Sequence, residues 1–311
     1  MAEMQLRPME RSDWWEVADL IYVSTNYWYE AHGHPRIFSG GPESTEVFCR
    51  VYEALDPGCC VVAESTRTGR IMGSCFYHPR ETHVSLGIMN VHPSYFGTGV
   101  ARALLRFIID FAEQRRQPVR LVSSAFNLDS FSLYTRAGFV PRCTFQDLML
   151  RVPEAGMAAL AQPPEEIQAV REATPDDVEA IADLELELNG IRRVKDYRYF
   201  VENREGIWSL LVYERGGRIE GFLASVADPG SNMLGPGVAR TEEQAAALIY
   251  AQLDRHRGRS PVFLAPVVCS RLVAQVYAWG ARNCELHVAQ VRGAFQPFGG
   301  VTLPTFLPET G

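Results

Sequence analysis

The sequence predicts a mixed α/β fold made of two tandem domains, each a mostly antiparallel sheet flanked by helices. Three observations carry this. One order of elements, strand, helices, hairpin, helix, strand, helix, strand, runs twice along the chain, with a period of about 150 residues that is too long for a solenoid. The stretch 153–166, "PEAGMAALAQPPEE", is rich in Ala, Pro and Gly and reads as a linker. The 311 residues are about twice the usual size of one domain. The expected division is therefore 1–152, a linker at 153–166, and 167–311 with an extended Pro-rich tail.

In the first half, "MQLRPM" reads as a strand, and Ser12 caps a helix over "DWWEVADLIYVS" with apolar residues at helical spacing. "STEVFCRVYEAL" repeats the pattern from Ser44. "CCVVAES" and "RIMGSCFY" form a hairpin around "TRTG", and "HVSLGIMNV" is a third strand. "GVARALLRFIIDFAEQ" is a strong amphipathic helix, "PVRLVSSA" a strand, and "LDSFSLYTRAG" a helix closed by Gly138. "FVPRCTFQDLMLRV" holds the last strand or pair. The second half repeats this with "IQAVREA", a helix opened by Thr174-Pro175, a hairpin around Gly216-Gly217, a helix from "TEEQAAALIYAQLDRH", and the strands "PVFLAP" and "CELHVAQV".

Composition excludes several classes. The net charge of −7 argues against nucleic acid or an anionic membrane as partner. No run of about 18 apolar residues predicts a membrane span, and "MAEMQLRPMERSDWW" has no apolar core of a secretory signal. Seven cysteines without framework spacing predict reduced thiols and a cytoplasmic protein. "HGHP" lacks companion ligands, so no metal is expected.

The segment "NVHPSYFGTGVARALL" places Gly97 and Gly99 between a strand and a helix. A helix start leaves backbone N–H groups unpaired at the positive end of the helix dipole, which suits phosphate. Glycine there lets the backbone approach an anion closely. A dinucleotide fingerprint would need a third glycine where Arg102 stands, and a P-loop would need Gly-Lys-Ser/Thr. The spacing alone also fits a plain tight turn.

Residues 1–152 resemble the GNAT superfamily of N-acetyltransferases, carried by "VHPSYFGTGVARALL" and "NLDSFSLYTRAGF". The resemblance implies acetyl-CoA as co-substrate, its pyrophosphate held by N–H groups of Phe96, Gly97, Thr98, Gly99 and Val100. It implies that the Val91 backbone pairs with the pantetheine arm, that Asn127 bonds to the CoA side, and that Tyr134 protonates the departing thiolate. A phenol matches a thiolate in proton affinity, and the alternative for Tyr134 is core packing. Relatives usually carry Gln or Arg where Ser94 stands, and often an acid on the strand before the glycines. Here that strand has none, and His83, sharing a face with Ser85 and Val91, is the expected base.

In this fold the segment joining the first two helices borders the acceptor pocket. It is "NYWYEAHGHPRIF", so Tyr27, Trp28, Tyr29 and His34 are the expected acceptor-side residues, with lid packing as the alternative. The second half looks like a worn copy: "GPGVAR" echoes "GTGVAR", but Pro236 has no N–H to donate, and the strand before it reads as no more than "SNML". "VAQVYAWG" keeps a tyrosine, Tyr277, but no asparagine. The expected activity is direct transfer of an acetyl group from acetyl-CoA to a primary amine of a small molecule or peptide, with the first half catalytic. The alternative is an acyl-CoA-binding regulatory or scaffold protein without catalysis. Homodimerisation is left open.

Overall fold

The computed structural model describes residues 3–308. The first half runs β1 (Met4–Pro8), α1 (Trp14–Ala31), α2 (Glu46–Leu55), β2 (Cys60–Ser65), β3 (Ile71–Pro79), β4 (Val84–Val91), α3 (Val100–Gln114), β5 (Val119–Ser124), α4 (Leu128–Arg136) and β6 (Val140–Met149). The second runs β7 (Val170–Glu172), α5 (Val178–Asn189), α6 (Val194–Glu202), β8 (Trp208–Arg215), β9 (Arg218–Asp228), β10 (Ser231–Ala239), α7 (Glu242–Arg255), β11 (Val262–Pro266), α8 (Ser270–Ala278), β12 (Arg282–Arg292) and a tail strand, β13 (Val301–Leu303). Through β12 the order of the first half is repeated, helix for helix and strand for strand.

The repetition reaches side chains. Arg7 pairs with Asp13 at 2.6 Å and with Glu64, and Arg171 pairs with Asp177 at 2.7 Å and with Glu214. Each aspartate also closes a capping box ahead of the first long helix of its half, at Glu10 and at Thr174. The bond from Arg171 holds the Asp177 carboxyl down to about 2.

Packing divides the chain into two units. The first comprises the residues up to Pro79, His83–Val119 and the tail from Phe306. Its antiparallel strands lie in the order β1-β2-β3-β4. Along β3 the positions Ile71–His78 are all buried, so both sheet faces are covered. One cover is α3, whose apolar residues at 104, 105, 108, 109 and 112 form the stripe expected of an amphipathic helix. Gly73 permits its close approach: a Cβ there would stand 2.8 Å from Val100 and 3.2 Å from Leu104. On β4 the register against β3 gains one residue between Leu86 and Met89, a bulge around Gly87 and Ile88.

The second unit holds Arg80–Thr82 and Arg120–Thr305. Its strands follow the order β5-β12-β6-β11-β10-β9-β8-β7, with β13 on β10. Here the sequence reading and the packing part company. β6 pairs with β12 along Val140–Met149 and with β11 along Phe145–Met149, so both its partners come from beyond the linker. β12 in turn lies between β5 and β6. The last strand of each half is thus inserted into the other half's sheet, and the division by packing falls at Val119/Arg120 rather than at 153–166. Equivalent bonds mark the exchange: the Ala125 N–H donates to Leu286 O at 2.8 Å, and the Val267 N–H to Thr144 O at 3.0 Å.

β10 also differs from its expected short form. It runs on through Gly235-Pro236-Gly237 to Ala239, with an irregularity between Leu234 and Gly237, and α7 starts only after its cap, Thr241. β13 pairs with it at Gly237, Val238 and Ala239.

Because β6 has no ladder partner within residues 1–152, cutting the chain in 153–166 should not release a folded first half. Fragment 1–152 alone is expected to unfold without a cooperative transition, or to aggregate through the exposed edges of β5 and β6. Co-expressed with 167–311 it should regain one cooperative transition by circular dichroism. A cooperative, monomeric 1–152 would contradict the exchange.

Candidate active site

In the first unit the chain leaves β4 at Val91, passes a short turn at Pro93–Tyr95 and enters α3. Gly97 and Gly99 have φ of +74° and +97°, the left-handed region that L side chains avoid. Gly99 is the cap of α3 and no side chain satisfies the first N–H groups of the helix. Of the five amides expected to hold phosphate, two are already engaged: Phe96 N–H donates to Pro93 O at 3.2 Å, and Thr98 N–H to Tyr95 O at 3.3 Å. Among the described residues nothing accepts from the N–H groups of Gly97, Gly99 and Val100. A Cβ at either glycine would meet nothing within 4 Å, so the space beside the turn is open.

The expected acceptor segment is partly helical, since α1 extends to Ala31 and carries Tyr27, Trp28 and Tyr29 on its last turns. Trp28 stacks on His32 and Tyr29 meets His34 edge-on. Tyr27, half exposed, meets Phe96 of the glycine turn with ring centroids 6.0 Å apart. α1 is tied to β4 by Asn90, whose amide donates to Ser24 Oγ at 2.7 Å and Thr25 Oγ1 at 3.2 Å. The loop after α1 is closed by Asn26, which accepts from Ile37 and Phe38 N–H and donates to Phe38 O. His83 does not line an open face. It is 1% exposed, with Nε2 3.1 Å from Ser85 Oγ.

The second unit holds Asn127 and Tyr134. Asn127 caps α4, its Oδ1 accepting from Ser130 N–H at 2.9 Å. Tyr134 is buried beside Phe139. Just before the cap, Ser124 Oγ accepts from Phe126 N–H at 3.1 Å and donates to the Glu285 carboxylate. Glu285 stands opposite Asp147 in the β12–β6 register, and His287 Nδ1 lies 2.9 Å from Asp147 Oδ1. Sequence reasoning missed these three. The signal was there in "CELHV", an acid and a histidine two apart on a strand and so on one face, but nothing local says which strands flank it.

The equivalent positions of the second half have lost this chemistry. Tyr134 is the seventh residue of α4, and the seventh of α8 is Val276, fully buried. Tyr277 is therefore not its counterpart; it is exposed, and its hydroxyl bonds to Gln146 Oε1. The cap position of α8 is Cys269, which makes no capping bond. Gly235 and Gly237 lie inside β10 rather than ahead of a helix, and a Cβ at Gly235 would stand 2.7 Å from Pro304 O of the tail.

Comparison with known proteins agrees with this architecture. The acetyltransferase (GNAT) family model matches residues 21–139. A Bacillus subtilis protein named UPF0157 protein YqkA is 34% identical over 73 residues, a match spanning 24% of this chain and 21% of that protein. A Pyrococcus horikoshii structure described as a candidate acetyltransferase superposes with a TM-score of 0.74 at 15% identity, covering 99% of this chain and 96% of its own. A GCN5-related N-acetyltransferase from Sphaerobacter thermophilus gives 0.62 at 19% identity, covering 93% and 95%. A tandem GNAT protein of the clavulanic acid biosynthesis pathway gives 0.58 at 17% identity, covering 94% and 98%. At these identities the likeness is one of fold. Residues 21–139 thus match the acetyltransferase (GNAT) family, within a mixed α/β fold similar to that of a tandem GNAT protein.

Proposed function

We propose that the protein is a cytoplasmic, acetyl-CoA-dependent N-acetyltransferase acting on a primary amine of a small molecule or peptide. The observation that carries the reading furthest is the glycine turn at the head of α3: left-handed at both glycines, open on its outer side, with backbone N–H groups unspent at the positive end of a helix. The residues present fit a pyrophosphate there, and acetyl-CoA would supply the acyl group as an activated thioester. Gly97, Gly99 and Val100 are the amides assigned to it. The Val91 backbone, at the end of the bulged strand, is assigned to the pantetheine arm, and Asn127 to the CoA side. Tyr27 and Phe96 form an apolar rim beside the turn, with Trp28, Tyr29 and His34 behind Tyr27.

Transfer is direct. The neutral amine attacks the thioester carbonyl, the C–S bond breaks as the C–N bond forms, the nitrogen's surplus proton is lost to water, and the Tyr134 phenol protonates the thiolate and regains its own proton from solvent. Such an enzyme works by positioning and proton handling rather than by forming an acyl-enzyme. Val276, Cys269 and Gly235 stand where the second half would need counterparts of these residues, which supports a first half that carries the chemistry and a second that completes the fold.

A panel of primary amines and peptide N-termini, read by release of the CoA thiol, tests the reading; no release above the blank across the panel contradicts it. Gly99→Glu strains the turn and sets a negative charge at the cradle. Losing two charge-assisted hydrogen bonds at about 1.5–3 kcal/mol each predicts acetyl-CoA binding weakened by about a hundredfold or more in calorimetry. Undiminished affinity would remove the glycine turn from the site. Tyr134→Phe should lower turnover by about ten- to a thousandfold with acetyl-CoA affinity nearly kept. Equal turnover in both proteins would leave Tyr134 a packing residue.

A further inference from the structure

β6 and β12 bring together three donors that lie far apart in the chain. Asp147 stands on β6, and Glu285 and His287 on β12, all of them buried. In the register Asp147 is directly opposite Glu285, and His287, two places along β12, shares that face. The imidazole turns its Nδ1 toward Asp147, 2.9 Å from Oδ1. One donor atom from each of the three lies within 4.8 Å of the other two. Donors about 2.0–2.2 Å from a metal ion stand about 3.3–3.6 Å apart at tetrahedral corners and about 4.0–4.4 Å apart across an octahedron. The spread of the three admits a single ion.

Two features set the group apart from an ordinary buried hydrogen-bond cluster. Asp147 is 4% exposed, and among the described residues its carboxylate has one side-chain partner, the His287 ring. A carboxylate taken out of water is held by a cation or by several donors, and one imidazole is less than that. The strand exchange supplies the second feature. The bond from Ala125 to Leu286 is matched by the bond from Val267 to Thr144, and by this match Asp147 answers to Ala289 and Glu285 to Cys143. Ala289 and Cys143 are themselves opposite each other, four residues along the same face of the ladder. The ladder closes equally on that small pair, so the fold alone does not call for two carboxylates.

We propose that Asp147, Glu285 and His287 bind one divalent first-row metal ion, with Zn²⁺ as the type, and that the ion clamps the exchanged strands. The inference goes beyond the acetyltransferase reading and does not depend on it. Two carboxylates and one imidazole suit Zn²⁺ better than Ca²⁺, which takes six to eight oxygens, or Cu(I), which selects sulfur. Asp147 comes from the last strand of the first half and the other two ligands from the last strand of the second. The ion therefore joins the two halves of the sequence across the β6–β12 ladder. Ser124 is a positioning residue: its Oγ donates to the Glu285 carboxylate, an outer bond of the kind that orients a ligating carboxylate. The expectation of no metal concerns "HGHP", where His32 stacks on Trp28 and His34 meets Tyr29.

The test uses the full-length chain, stripped with EDTA, loaded with Zn²⁺ and passed through gel filtration. Metal analysis should find one Zn²⁺ per chain. With Zn²⁺ a hundredfold above its Kd, the thermal midpoint by circular dichroism should rise by about 5–10 °C over the stripped protein. Loading with Co²⁺ instead should give visible d–d bands without a thiolate charge-transfer band. His287→Gln and Asp147→Asn should each lose the Zn²⁺ and the rise in midpoint, and His32→Ala should keep both. If neither ligand variant folds, the Co²⁺ spectrum of the parent decides the donor set. No Zn²⁺ above the buffer blank together with an unmoved midpoint overturns the proposal. So does a thiolate band, which places the ion on cysteine, or a folded His287→Gln that retains one Zn²⁺ per chain.

Discussion

The hydrogen-bonded ladder between β6 and β12 is the constraint on which the second unit's architecture depends. Each of these strands closes one half of the sequence, and each finds its partners in the other half. A sheet edge left open is a template for aggregation, and exchange removes two such edges at once. The core beneath shows the same mixing. Leu148, Leu150 and Val152 from the first half pack with Leu248, Leu253, Phe263 and Val276 from the second. The stability of one half therefore cannot be separated from the presence of the other.

Two copies of one element order have diverged in ways that sort their duties. Both keep the structural ties of the repeat, the arginine that links strand, helix start and hairpin at Arg7 and Arg171. Only the first keeps a left-handed glycine turn directly ahead of a helix, an asparagine cap and a buried tyrosine at the seventh position of the next helix, where α8 has Val276 and its Tyr277 is exposed. In the second the glycines have become part of a buried strand, and the tail strand β13 lies along them. Burying the glycine segment adds packing to the fold and leaves its backbone no open side.

Much of this was legible in the sequence because the signals are local. The stripe of apolar residues that defines α3 and the glycine that closes α4 each depend on residues within a turn or two of one another. The glycine turn was legible for the same reason, although not which of its amides were spent: that depends on the short turn at Pro93–Tyr95, which has no strong signature. What the sequence hid is non-local. No pattern within "FVPRCTFQDLMLRV" says that its partners lie beyond residue 260, and so neither the packing boundary nor the meeting of Asp147 with Glu285 and His287 was readable. Tyr277 was misleading because one residue of helical offset turns a side chain through about 100°, from core to solvent. His83 was chosen for its strand face, and that its ring is buried against Ser85 depends on packing that no local pattern states.

The central claim is that duplication has left one working acetyl-CoA site per chain, at the glycine turn of the first half. Titration calorimetry of the full-length protein with acetyl-CoA tests it directly. The account predicts a single class of site with a stoichiometry of one per chain. Two sites of comparable affinity per chain would contradict it, since the second could only lie at the glycine segment that β10 and β13 enclose.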